Sequence, residues 1–135
     1  KKSSEEGWPV NFPPIFTAIS GTTDCTSLLG SDPVRFYPFG SAPEKGTTFY
    51  DLPYAVYQTI GGEPENYLKT TPDVDRYTLQ IDIYGETVAD VRAVSIAIIE
   101  AIQQDCHVMR YSNEGKEYET GLYRISLDCS WIVPR

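Results

Sequence analysis

Residues 76–105 read RYTLQIDIYGETVADVRAVSIAIIEAIQQD, and the period of the apolar residues changes partway through. Tyr77, Leu79, Ile81 and Ile83 alternate with Thr78, Gln80, Asp82 and Tyr84, the period-two pattern of a strand with one buried face. Gly85 and Glu86 break the chain, and Thr87 is placed to cap a helix, with Asp90 three residues on in an acidic version of the capping box. From Val88 the period is helical. Val88, Val91, Val94, Ser95, Ile98, Ile99 and Ile102 share one stripe, while Asp90, Arg92, Glu100, Gln103 and Gln104 share the other side. A strand leading directly into an amphipathic helix predicts a helix lying across the sheet that contains that strand.

Ile96 departs from this pattern by projecting among Arg92, Glu100 and Gln103. Either it is a lone exposed isoleucine, which is ordinary, or this side of the helix meets another subunit.

Outward from that stretch, the sequence predicts one domain. At 135 residues the chain can bury a real core without disulfide support. No apolar run reaches the roughly 18 residues of a membrane span, and the polar start, Lys1 to Glu6, predicts no signal peptide. Cys25, Cys106 and Cys129 are odd in number and far apart, which reads as thiols in a reducing compartment. A single histidine and no close cysteine pair argue against a metal site. The net charge of −8 opposes nonspecific grip on a phosphate backbone. Ten tyrosines suit strands, or interfaces where an apolar ring carries a polar tip.

Residues 1–12 read as a polar extension in which Trp8 is a large ring to leave in water; it docks on this subunit or on a neighbour. Pro13-Pro14 opens a short helix through Ser20, with Ile15, Phe16 and Ile19 on its apolar side. Asp24 reads as the cap of one or two turns, Cys25 to Leu29, closed by Gly30. Val34 to Tyr37 reads as a short strand, Pro38 to Asp51 as a long loop, and Leu52 to Ile60 as a strand inside the sheet. Residues 61–74 read as a second excursion, with apolar Tyr67 and Leu68 needing a partner in their own domain or in another chain. His107 to Tyr111 makes a short strand, residues 112–115 a turn followed by an acidic segment to Thr120, and Gly121 to Val133 a long strand. The fold class expected is α+β: a sandwich of one mostly antiparallel sheet covered by one long helix, in the order α-β-β-α-β-β.

Chemistry is hard to find. A nucleophile triad needs a histidine, and His107 lacks an obvious partner. Asp73 with Asp75, or Glu117 with Glu119, would share a face if each pair lay in a strand, but solvated loop charges explain them better. Phosphate-binding glycine loops and basic aromatic strips for single strands are absent. No cofactor is expected. Arg76, Arg124 and Arg135 could instead pair with the surplus carboxylates within or between subunits.

Two runs carry a resemblance. Gly61-Gly62-Glu63-Pro64-Glu65-Asn66-Tyr67-Leu68, followed by Pro72-Asp73-Val74-Asp75-Arg76-Tyr77 and Gln80-Ile81-Asp82-Ile83-Tyr84, resembles the tail completion proteins of long-tailed bacteriophages. So does the ending from Glu119 to Asp128 with Trp131-Ile132-Val133-Pro134-Arg135. Pro13-Pro14-Ile15-Phe16, Leu28-Leu29-Gly30 and Arg35-Phe36-Tyr37-Pro38 fit the same pattern, so the resemblance spans nearly everything from Pro13 onward. It implies a structural virion protein with no catalytic residues, assembled in the host cytoplasm into a hexameric ring at the head-proximal end of the tail tube. Its partners would be copies of itself, the tail tube protein and the head-completion or connector protein. DNA would pass through the lumen without specific binding, and no membrane is involved. Ile96, Arg92, Glu65, Asn66, Tyr67, Leu68, Trp8 and Arg135 are the candidate interface residues. A monomeric adaptor using the 61–74 loop is the alternative, and a carboxylate hydrolase built on Asp73 and Asp75 is a distant third.

Overall fold

In the computed structural model, which describes residues 13–31, 34–40, 52–64, 74–104 and 106–134, a five-stranded sheet carries a helical layer on one face. The chain runs α1 (Ile15–Ser20), α2 (Thr23–Leu29), β1 (Phe36–Pro38), β2 (Tyr54–Pro64), β3 (Val74–Gly85), α3 (Val88–Ile102), β4 (Cys106–Lys116) and β5 (Tyr123–Pro134). The strand order is β1-β2-β3-β5-β4, antiparallel except for the parallel β1–β2 pair. The α+β class and mostly antiparallel sheet are as expected. The order α-β-β-α-β-β omits α2 and the three-residue β1, and the covering layer is three helices, with α1 and α2 packed on α3.

The strand-to-helix unit forms as its period dictates. Tyr77, Leu79, Ile81 and Ile83 are buried on the helix side of β3, and Val91, Val94, Ser95, Ala97, Ile98 and Ile102 of α3 are buried above them. Thr87 is the N-cap, its Oγ1 accepting from the Asp90 N–H at 3.1 Å. Buried Ser95 is satisfied by donating to the Arg92 carbonyl at 2.8 Å. β5 adds Ile125, Leu127, Cys129, Trp131 and Val133 to the same core, and Ala55 of β2 lies opposite Ile83.

Several expectations change. Phe16 is on the outer side of α1 and 42% exposed, because six residues bury only Ile15 and Ile19. Thr22, not Asp24, sits at the N-cap of α2, and Asp24 falls in the first turn. β2 does not end at Ile60. It bulges there, with the register shifting between Thr59 and Gly61, and the pairing continues to Pro64 opposite Asp75. The 112–115 segment is likewise strand. β4 runs unbroken to Lys116 by absorbing register shifts at Val108/Arg110 and Tyr111/Asn113. The turn comes later, where the Glu117 N–H donates to the Leu122 carbonyl and the Gly121 N–H to the Glu117 carbonyl, both at 2.8 Å. Gly121 there has φ +74, a conformation that other side chains resist.

Candidate assembly interface

The alternation that buries one face of the sheet leaves the other without a helical layer among the described residues, and polar side chains there bond to one another. Asp82, in the centre, accepts from Ser126 Oγ, from Arg124 Nη2 at 3.2 Å and from Gln80 Nε2 at 3.1 Å. Burial opposes the charge on Arg124, but Asp82, Tyr84 and Glu117 favour it more strongly, so its pKa is held above the ordinary value. Its Nε is buried without an acceptor among the described residues. Beyond Arg124 an aromatic row crosses the sheet: Arg124 lies 6.0 Å from the Tyr84 ring, Tyr84 stacks on Tyr54 at 5.1 Å, and Tyr37 meets Tyr54 edge-on at 6.2 Å. Four strands thus share one rim of rings and cation. This surface suits contact.

The outer side of α3 forms a second surface. Ile96 is 55% exposed, as its position in the sequence requires. Arg92 faces the β4–β5 hairpin, its Nε 3.4 Å from Glu114 Oε2, in a pair exposed enough to contribute only about 0–1 kcal/mol. Below it an apolar cleft of about 260 Å³ opens between the start of α3 and the last rungs of the hairpin before its turn. Lys116 flanks it, with Nζ 5.2 Å from the Tyr123 ring. Phe39, Ile60, Val88 and Ile132 are also large apolar side chains left in water, and Tyr118 at the hairpin tip is 97% exposed.

Of the residues singled out in the sequence, Arg92 and Ile96 share the outer side of α3. Trp8, Glu65, Asn66, Tyr67, Leu68 and Arg135 lie outside the described residues. The pairing foreseen for Arg124 is made, with Asp82. Tyr118 and the cleft were missed: the tip was read only as part of an acidic segment, and the cleft joins elements distant in sequence. Glu117 and Glu119 occupy the turn and not a strand, so the shared-face argument for a carboxylate site fails for them; Glu117 Oε1 instead accepts from Thr120 Oγ1 at 3.1 Å. Asp73 is outside the described residues, and no cluster of three or more His, Cys, Asp or Glu suited to a metal occurs among them. Nor is any described helix long and apolar enough to cross a membrane.

Comparison with known proteins gives two findings. The family described as Tail completion protein gp17 matches residues 13–134. A chain of the virion of native gene transfer agent (GTA) particle has a similar fold, with a TM-score of 0.65, covering 90% of this chain and 92% of that one at 13% identity. Identity that low establishes likeness of fold alone. No curated protein matches in sequence.

Proposed function

The chain belongs to the tail completion protein gp17 family, and from that premise we propose that it forms a hexameric ring closing the head-proximal end of a phage tail tube. Membership makes it a structural protein of the phage tail and not an enzyme. In the proposed role the ring stops tube growth, presents a docking surface to the head connector, and leaves a lumen for DNA. Its neighbours are copies of itself, the tail tube protein and the head-completion protein, met as the virion assembles in the host cytoplasm.

The observation that carries this reading is the family match across residues 13–134, nearly the whole chain. The likeness of fold to a chain of a gene transfer agent virion is in keeping with it. So does the distribution of side chains. A ring closed by rotation joins two different patches on each copy, and Ile96 beside Arg92 on α3 is one exposed apolar group suited to that use. The 61–74 loop, with Glu65, Asn66, Tyr67 and Leu68, is proposed to reach an adjacent ring, and Trp8 and Arg135 are proposed as further contacts.

Sedimentation of the purified protein, alone and with tail tubes, tests the proposal. Wild type is expected to reach a six-copy species, and Ile96→Asp to assemble at least tenfold more weakly while its monomer keeps the wild-type melting temperature. An unchanged Ile96→Asp hexamer would remove that residue from the interface. A protein that stays monomeric even on tubes would replace the ring with a monomeric adaptor.

A further inference from the structure

We propose that the apolar cleft at the start of α3 receives the Tyr118 turn of a second copy of this chain; this rests on the self-assembly reading and gives it a specific contact. Tyr118 is 97% exposed, yet the turn that presents it is fixed. Glu117 and Gly121 close the turn through their backbone bonds, Thr120 Oγ1 donates to Glu117 Oε1, and the Leu122 N–H donates to Thr120 Oγ1 at 3.2 Å. A ring held out on a rigid turn loses little conformational freedom on binding, which is the advantage of a preorganised anchor. Two carboxylates, Glu117 and Glu119, flank it.

The cleft has the opposite character. Val88, Val91 and Ile125 supply apolar surface, and Lys116, Arg92 and the Glu114 paired with Arg92 line it as well. In a chain with 11 Lys and Arg against 19 Asp and Glu, two cations, Arg92 and Lys116, against the single carboxylate of Glu114 around one apolar opening are a local reversal of the overall charge. Its volume of about 260 Å³ leaves ample room for a phenol ring, since a cavity of about 150 Å³ accepts benzene. The chain's own Tyr118 does not fill it, being almost wholly in water. An acid-flanked aromatic at the hairpin tip and an apolar cleft of net positive lining at the start of α3 are thus complementary halves, carried by every copy. Tip-into-cleft contact between copies joins two different patches, the form of contact that a closed ring repeats. The charges set register and partner choice, and the buried ring supplies most of the affinity.

Two substitutions at surface positions test this. Tyr118→Ala removes the ring from an exposed tip. Val88→Glu places a carboxylate in the first turn of α3, where the helix dipole favours it, but in the path of Glu117 and Glu119. Both variants are expected to keep the wild-type melting temperature and to raise the dissociation constant for self-association at least tenfold in sedimentation velocity. Mixing Tyr118→Cys with Val88→Cys under copper-phenanthroline oxidation is expected to give a disulfide-linked dimer that neither variant gives alone. Wild-type protein that assembles while Tyr118→Ala assembles equally well, or while the mixed dimer fails to form, would overturn the contact and leave the ring standing. Wild type that remains monomeric, alone and on tail tubes, would overturn the ring reading and the contact with it.

Discussion

At Gly85 the decisive quantity is the space around a single missing carbon. A Cβ there would lie 2.9 Å from Val91 Cγ1 and 3.4 Å from Asp90 Cβ, and Val91 is only 2% exposed. Replacing glycine by alanine where the backbone tolerates it usually gains up to about 1 kcal/mol by restricting the unfolded chain. Here the clash at the strand-to-helix corner reverses the sign. Gly85→Ala is expected to lose about 1–3 kcal/mol in urea unfolding, the ordinary range for overpacking. Cys25 raises a question of protons. Its Sγ donates to the Ala97 carbonyl at 3.3 Å, and burial, then Asp24 and Glu100, push its pKa from 9.0 up to about 11. The folded state therefore holds a proton that the unfolded chain releases above pH 9. Stability from this group is complete below pH 9 and is lost as pH rises toward 11. Cys129, raised by its hydrogen bond with Cys106 and by burial, acts in the same direction. The urea midpoint should fall across that interval and fall less in Cys25→Ala; equal slopes would assign the loss to other groups.

Elements whose pairing is local and regular were readable from their period, and those that depend on distant partners were not. The unit from Arg76 to Ile102 carries both its own periods and its own cap, so strand, corner and helix follow from adjacent residues. The cap is open to direct test: Thr87→Ala removes the acceptor for the Asp90 N–H and is expected to cost about 1 kcal/mol by thermal or urea unfolding. β2 and β4 misled for a common reason. Gly61-Gly62 and Ser112-Asn113-Glu114-Gly115 have the composition of turns, yet β3 and β5 lie alongside with open hydrogen-bonding edges. Bulges let the irregular residues pair instead of leaving those edges bare. β1 was placed two residues early because three residues held by a parallel neighbour leave almost no periodic trace. At the candidate interface, Ile96 was legible because a helix assigns every residue a side. Tyr118 was not, since its exposure depends on where the hairpin turns, and the cleft joins residues 88–92 to residues 114–125.

For the whole molecule, charge limits what the assembled form can hold. Each copy carries −8, and repulsion between copies must be outweighed by apolar contact. Duplex DNA presents one negative charge per roughly 1.7 Å of axis, and proteins that grip it do so by releasing counterions from phosphates with Lys and Arg. On the sheet face that the described helices leave uncovered, Arg124 is already committed to Asp82 and Tyr84 and not held out toward a phosphate. A lumen built from such chains would let the duplex slide without holding it. The assembled protein is accordingly expected to retain no duplex DNA in a gel-shift assay even at about 50 mM salt, where electrostatic grip is strong. Reversing surface carboxylates to lysine on the lumen side should produce retention that weakens steeply with salt, with a slope growing by nearly one for each phosphate neutralised. Salt-sensitive retention by wild type would instead mean that the proposed ring gathers its cations around the channel and would brake DNA passing through it.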